Sequence, residues 1–357
     1  MNNEKWGSLP SIEERTRADA EGLSLGRVIR ENRGQYLLAS GEDILTAEVT
    51  GAFRYKAAQR SDYPAVGDWA AFHAEDGSHA IIDWLFSRKS SFSRKSAGSR
   101  TDEQIIAANV DVIFLVFGIN GGRNFTEGGL ERYLTLAWNS GAVPVVLLNK
   151  ADLCSEEERA SAVLRAETAA PGVAIHLVSA ATGEGLKELE AASVPGQTIA
   201  LAGPSGVGKS TLINAMSGGL NLKTGAQREA DLRGRHTTTH RELFRLDSGV
   251  MLIDSPGLRE LQLWADIDSA GETFSDITTF AENCRFNDCS HQGEPGCAVQ
   301  EAMVSGELDS RRYESYLEQM KELNYLKMKQ DEGAAGLEAK KWKGIAKQIK
   351  IYYKDRR

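Results

Sequence analysis

The stretch TIALAGPSGVGKSTLINAM, residues 198–216, decides how this chain is read. An apolar run, Thr198–Ala202, leads into Gly203-Pro204-Ser205-Gly206-Val207-Gly208-Lys209-Ser210, and Thr211–Met216 continues as helix-forming sequence. The eight residues fit G-x-x-x-x-G-K-[ST] between a strand and a helix, the setting that a phosphate-binding loop requires. Its glycines let successive backbone N–H groups turn towards one point, forming an anion nest at a helix N-terminus. From there Lys209 can reach the β- and γ-phosphates and the Ser210 hydroxyl can ligate Mg²⁺, with Thr211 beside it.

Working outward, two further apolar runs end in residues that suit the same ligand. Val250–Ile253 ends in Asp254-Ser255-Pro256-Gly257, a D-x-x-G pattern. Asp254 there suits the position just behind the Mg²⁺ ligands, and the Gly257 N–H can meet the γ-phosphate. Val143–Leu148 ends in Asn149-Lys150-Ala151-Asp152. The Asp152 carboxylate can accept from both guanine N1–H and N2–H₂, donors that adenine does not present, so it selects GTP over ATP. Asn149 is expected to brace the loops, the Lys150 stem to lie along the base, and the N–H of Ala180, after Ser179 at the next strand end, to meet guanine O6.

The order of these motifs is informative. The base-reading segment precedes the phosphate loop, the reverse of the usual GTPase order, so the domain is expected to be circularly permuted. Permutation is tolerated because domain termini tend to lie close together. Between the loop and Asp254 lies Arg233-Gly234-Arg235-His236-Thr237-Thr238-Thr239. A threonine here, Thr238 or Thr237, is expected to complete the Mg²⁺ shell. Leu258 occupies the position where many GTPases carry a water-orienting glutamine. Leu258 cannot do this, so either another group does or the intrinsic rate is slow until a partner helps; His236 is the nearest candidate.

The rest of the chain frames this domain. Its 357 residues bound it to two or three domains of roughly 100–200 residues each. Residues 21–92 carry short β-rich runs (Gly26–Val28, Tyr36–Ala39, Ile44–Val49, Phe53–Tyr55, Gly67–Phe72 and His79–Leu85), which predict a small barrel after an extension over 1–20. Polar residues 93–104 read as a linker, overlapping the stretch RKSSFSRKSAGSR over 88–100. Strand–helix alternation over 105–262, with helices at Leu130–Asn139 and Glu156–Ala169, predicts a parallel sheet. In 263–357, Cys284-x₄-Cys289-x-His291-x₅-Cys297 offers a soft S₃N set suited to one closed, structural Zn²⁺ site. Cys154 stands apart and is expected to be a buried free thiol. Helical sequence from Glu307 to Lys329 then leads into a basic tail.

Composition excludes some classes of protein. Four cysteines are too few for a disulfide scaffold, and Val112–Phe117, the longest apolar run, is far short of the ~20 residues of a membrane span. The start MNNEKWGSLPSIEER lacks a secretory pattern, so a cytoplasmic setting is expected. Net charge is −8, yet eight of the 42 basic residues and only one of the 50 acids fall in 340–357. The tail is therefore +7 and the preceding chain −15. Trp342, Tyr352 and Tyr353 interleave with the tail's charge, a pattern suited to RNA phosphates and base stacking, although a solvated helix end would also look like this.

Together these residues resemble the ribosome small-subunit-dependent GTPase A family (RsgA/YjeQ), circularly permuted GTPases. The resemblance rests on Val66-Gly67-Asp68-Trp69, Ala107-Ala108-Asn109-Val110-Asp111, Leu148–Leu153, Gly203–Ser210, Gly234–Thr239, Asp254–Gly257 and Cys284–Cys297. It implies an α/β chain with an N-terminal OB-fold β-barrel, a central circularly permuted P-loop GTPase domain and a C-terminal helical zinc-binding domain. It implies a monomer that binds the 30S ribosomal subunit and its 16S rRNA late in maturation, away from any membrane, with Mg-dependent GTP hydrolysis stimulated by the subunit. The family's switch-region histidine falls on His236. The competing reading is a GTP-dependent RNA-binding module with negligible hydrolysis.

Overall fold

The fold is that of a computed structural model, which describes residues 3–32, 34–95, 103–121, 124–217, 241–254 and 267–328. The described residues form two compact units, one within 1–95 and 102–263 and the other after 263.

The first unit begins with the barrel. Strands β1 (Ser24–Asn32), β2 (Gln35–Ser40), β3 (Asp43–Val49), β4 (Trp69–Asp76) and β5 (His79–Leu85) run in the order β1-β2-β3-β5-β4, and a β1–β4 pairing closes the ring. This is the five-stranded topology of an OB-fold. Val28, Leu38, Ala47, Ala70, Phe72 and Ile82 fill its interior at every second strand position, while of the residues between them Thr46 faces solvent and Arg27, Ile29, Ala39 and Ala71 are buried as well. The barrel departs from expectation at Phe53–Tyr55, which lies in helix α2 (Gly51–Lys56), not a strand. The Thr50 side chain caps that helix by accepting from the Phe53 N–H at 3.0 Å, and the cap outweighs the β-preference of the two aromatics.

Residues of the N-terminal extension pack on the barrel. Helix α1 (Ile12–Ala20), capped by Ser11, follows a 3₁₀ turn at Asn3–Trp6. The segment read as a linker opens with strand β6 (Ser91–Lys95), which pairs with β7 (Glu103–Ala108). Its polar composition conceals one buried anchor, Phe92.

The nucleotide-site sheet follows, with β8 (Val112–Gly118), β9 (Val143–Asn149), β10 (Ala174–Leu177), β11 (Thr198–Ala202), β12 (Arg241–Arg245) and β13 (Met251–Asp254) in the order β10-β9-β8-β11-β13-β12. All neighbours are parallel except β12, which is antiparallel to β13. Helices cover both faces, which is why strands such as β11 are apolar without alternation. Leu130 and Leu134 of α3 (Glu127–Ser140) and Ala162 and Ala166 of α4 (Glu156–Ala169) pack on one side. Leu186 and Leu189 of α5 (Leu186–Ala192) and Leu212 and Ile213 of α6 (Lys209–Met216) pack on the other.

Barrel and nucleotide sheet are joined twice. Strand β12 pairs with barrel strand β1, so one continuous sheet of eleven strands runs through both. Beside it lies the fully buried guanidinium of Arg27, which donates to the carbonyls of Gly67 (2.8 Å), Trp6 (3.0 Å) and Asn109 (3.2 Å) and to Thr198 Oγ1 (3.0 Å). Asp111 ties in the same corner, its carboxylate accepting from the Thr198 N–H at 2.7 Å. Gly67 approaches so closely that a Cβ there would lie 2.0 Å from the Ala108 oxygen. The Val66–Trp69 and Ala107–Asp111 segments are thus two halves of this joint.

In the second unit, helices Ile267–Thr273, Ser275–Ala281, Ala298–Ser305 and 310–328 surround Phe274, Ile277, Val299, Leu308 and Tyr313. Arg312 fastens it with a bidentate pair to Asp276 at 2.6 and 2.8 Å and a bond to the Thr273 carbonyl.

Candidate functional site

The strand ends bring the sequence-selected residues of the first unit to one edge of the sheet. β11 runs into the 203–208 loop and α6 starts at Lys209. Gly203 (φ +140°) and Gly208 (φ +99°) occupy backbone conformations that side chains rarely adopt. A Cβ on Gly203 would lie 2.1 Å from the Val116 carbonyl oxygen. The Lys209 ammonium curls over the loop, donating to the carbonyls of Gly203 (2.6 Å) and Pro204 (2.5 Å). Ser205 and Gly206 face solvent, Val207 anchors the loop in the core, and Ser210 and Thr211 open the helix.

Asn149 holds the two loops together. Its Nδ2 donates to the Val207 carbonyl at 2.8 Å, and its Oδ1 accepts from the Ala180 N–H at 3.0 Å. The bracing role expected of Asn149 therefore has a geometry, whereas the Ala180 N–H, expected to meet guanine O6, here donates to Asn149. With Nδ2 committed to the phosphate loop, Oδ1 faces the end of β10 and takes the nearest donor. Asp152 is exposed, with Oδ1 accepting from the Ser179 hydroxyl at 2.6 Å, and Ser179 Oγ in turn accepts from the Thr182 N–H. Lys150 adopts a left-handed backbone (φ +67°), and its stem passes Gly118, where a Cβ would lie 3.7 Å from Lys150 Cδ. Sequence reading missed Gly118, although a glycine closing an apolar strand was a signal for it. Cys154 is half-buried, not buried as expected, with Sγ directed at the Ile119 carbonyl at 3.3 Å.

Asp254 closes β13, buried at 7% exposure, next to β11 in the sheet. Its carboxylate and the Ser210 hydroxyl are hard oxygen donors at the phosphate end of the site, the donor type that Mg²⁺ prefers. His236, Thr237, Thr238, Gly257 and Leu258 lie outside the described residues.

The second unit holds the metal-ligand cluster. Cys284, Cys289, His291 and Cys297 present ligand atoms that all lie within 4.8 Å of one another. Cys284 Sγ is 3.5 Å and Cys297 Sγ 3.4 Å from His291 Nδ1, and the two sulfurs are 3.9 Å apart. A tetrahedron with Zn–S bonds of about 2.3 Å has edges of about 3.8 Å, so the four residues fit zinc. Burial pushes the Cys289 thiol up to about 11. At Cys284 burial also opposes ionisation, but the N–H groups of Val299 and Ala298 and the neighbouring thiols bring the net shift below the ordinary value. His291 is held in a left-handed conformation (φ +59°) while its carbonyl accepts from Gln300 Nε2 (2.6 Å) and the Tyr313 hydroxyl (2.9 Å). Such outer bonds orient the ligands.

Comparison with known proteins agrees with this geometry. A model of the RsgA GTPase family matches residues 85–264. The small ribosomal subunit biogenesis GTPase RsgA 1 of Oceanobacillus iheyensis is 45% identical over 328 residues, spanning 91% of this chain and 92% of that protein. The small ribosomal subunit biogenesis GTPase RsgA of Opitutus terrae is 42% identical over 91% of this chain and 90% of its own. Among solved structures, YjeQ from Thermotoga maritima matches with a TM-score of 0.65 at 26% identity, over 84% of this chain and 98% of that one. YloQ, described as a circularly permuted GTPase, gives 0.63 at 26%, over 85% and 95%. With its permuted strand order, its guanine- and phosphate-loop residues joined by Asn149 and relatives matched along nearly their full length, this chain belongs to the RsgA GTPase family.

Proposed function

We propose that this GTPase is a late-stage assembly checkpoint factor of the 30S ribosomal subunit, with GTP hydrolysis stimulated by the subunit. The observation that carries the nucleotide half is the Asn149 amide, which fastens the phosphate loop to the guanine-reading loop. The subunit half rests on the relatives, which bear the name of small-subunit biogenesis GTPases over most of their length. The chain acts as a cytoplasmic monomer, and among the described residues no helix is long and apolar enough to cross a membrane. Contact with 16S rRNA is assigned to local basic and aromatic faces, since the body of the chain is acidic.

In this reading Asp152 fixes the guanine edge, Lys150 lines the base and the 203–208 loop N–H groups with Lys209 hold the phosphates. Ser210 and Thr238 or Thr237 would hold Mg²⁺, with Asp254 behind them, and the ion would compensate charge on the transferring phosphoryl group. The Gly257 N–H senses the γ-phosphate and His236 orients the attacking water, because Leu258 has no hydrogen-bonding group. Cys284, Cys289, His291 and Cys297 hold a structural Zn²⁺.

GTP turnover of the full chain, alone and with purified 30S or 50S subunits, tests this. Stimulation by 30S alone is expected. Equal rates in all three conditions would instead identify a GTP-dependent RNA-binding module. His236→Ala should lower the stimulated rate more than GTP affinity.

A further inference from the structure

Arg30 in β1, Glu242 in β12 and Asp254 in β13 stand directly across from one another, forming one row over three adjacent strands. Directly opposed residues in antiparallel pairs project from the same face, with Cβ atoms about 4.5–5.5 Å apart. One cation and two carboxylates therefore share that face. The Arg30 guanidinium pairs with the Glu242 carboxylate through Nη2 and Oε1. In the neighbouring row Arg241 pairs with Glu31 at 3.3 Å and with the Ile105 carbonyl, which fixes the register. The barrel thus meets the nucleotide sheet at the first two residues of β12, directly after the 218–240 segment in the sequence.

We infer that Arg30 is a positioning residue of the barrel that sets the charge beside Asp254 by neutralising Glu242, and so tunes the affinity of the nucleotide site for Mg²⁺. The inference rests on the reading of Asp254 as an acid of the Mg²⁺ site. Without Arg30, the Glu242 carboxylate stands next to Asp254 uncompensated and the local field favours a divalent cation more strongly. Without the Glu242 charge, Arg30 is left uncompensated in the same row and the field favours it less. Removing both returns the row to its starting charge. A purely structural contact behaves differently, because loss of either partner would disturb the site in the same direction.

Arg30 and Glu242 are partly exposed, at 38% and 25% of their side chains, so neutral replacements of similar length do not hollow a core. The test measures binding of a fluorescent, non-hydrolysable GTP analogue to the full chain as Mg²⁺ is titrated. For a partly screened charge near a divalent ion, Arg30→Met is expected to lower the half-saturating Mg²⁺ concentration about threefold and Glu242→Gln to raise it about threefold. The double variant should return to within about 1.5-fold of the parent, because the two opposite shifts cancel when both charges are gone. Shifts of the same sign, no shift in either variant, or a double variant that stays about threefold away from the parent would overturn the inference. Asp254→Asn separates the two layers. If it leaves the Mg²⁺ dependence unchanged, the Asp254 assignment falls and the inference with it; if it shifts the dependence while the Arg30 and Glu242 variants do not, only the inference falls.

Discussion

Gly208 and Asn149 are packed so closely that a Cβ on the glycine would lie 2.4 Å from the Asn149 Nδ2. The last glycine of the phosphate loop and the first residue of the base-reading loop therefore share one contact, and the phosphate end of the site cannot be altered without disturbing the guanine end. Gly208→Ala would displace the Asn149 amide and place a side chain at φ +99°. The expected result is loss of GDP and GTP binding by at least about 100-fold, read by fluorescent-nucleotide titration. Asn149→Ala leaves the Val207 carbonyl and the Ala180 N–H without this partner, at about 1–3 kcal/mol, so affinity should fall about 10- to 100-fold. Affinity unchanged in either variant would refute the bracing role.

Asp152→Asn should change base preference while leaving the loop intact. An asparagine oxygen can still accept from the Ser179 hydroxyl, so the local turn survives. The lost carboxylate removes charge-assisted bonds to guanine, and GTP affinity should drop about 100-fold. Xanthosine triphosphate, whose base edge complements an amide, should bind the variant better than GTP does. Competition titration with the two nucleotides checks the exchange.

Arg27 is a stability residue. Burial lowers its pKa to about 10, so it remains a cation at neutral pH, satisfied by three carbonyls and one hydroxyl. Arg27→Met strips those acceptors of their donor and should destabilise the first unit by about 3 kcal/mol, visible as a lower Tm in thermal unfolding. Arg27→Lys should recover little, because one ammonium cannot serve the planar fork of acceptors that a guanidinium fits. A Tm within a degree of the parent for Arg27→Met would contradict the joint.

Metal analysis of the full chain should return one zinc per molecule. Because zinc binds thiolates and must displace thiol protons, its retention should fall steeply as pH is lowered. Glu294 adds a second pH dependence at the same loop. Its carboxylate accepts from the Ser290 hydroxyl and N–H and from the Gln292 N–H, which hold its pKa down at about 2 against an ordinary 4.5. A depressed carboxylate stabilises the folded loop above pH 4.5 and loses that contribution as pH falls towards 2. Glu294→Gln should therefore release zinc to a chelator faster at neutral pH than the parent does, with the difference shrinking in acid.

How much of this was legible in the sequence depends on the range of the interaction. The phosphate loop, the Asn149–Asp152 turn and the cysteine cluster each lie within a few residues, and their chemistry constrains spacing and residue type together, so they could be read directly. The barrel strands were legible as closely spaced short β-rich runs between turn residues, except where the Thr50 cap turned Phe53–Tyr55 into helix. Strand β6 escaped because its serines and basic residues mask the single buried Phe92. Least visible were β12 and its pairing with β1. Arg241-Glu242-Leu243-Phe244-Arg245 has only two apolar residues, and its partners Arg30 and Glu31 lie more than 200 positions away. Likewise nothing local marks Arg27 as the donor that joins Trp6, Gly67, Asn109 and Thr198.

The pairing of β1 with β12 also bears on how this chain can be divided. In the nucleotide sheet alone, β12 would be the outermost strand, with its outer row of N–H and C=O groups open to another molecule. Barrel strand β1 covers the start of that row, and its crossed charges at Arg30, Glu31, Arg241 and Glu242 admit one register. The barrel thereby shields the sheet from aberrant strand addition. A gene fragment beginning after the barrel would keep every nucleotide-contacting motif yet expose a sticky border, and is expected to self-associate where the full chain does not.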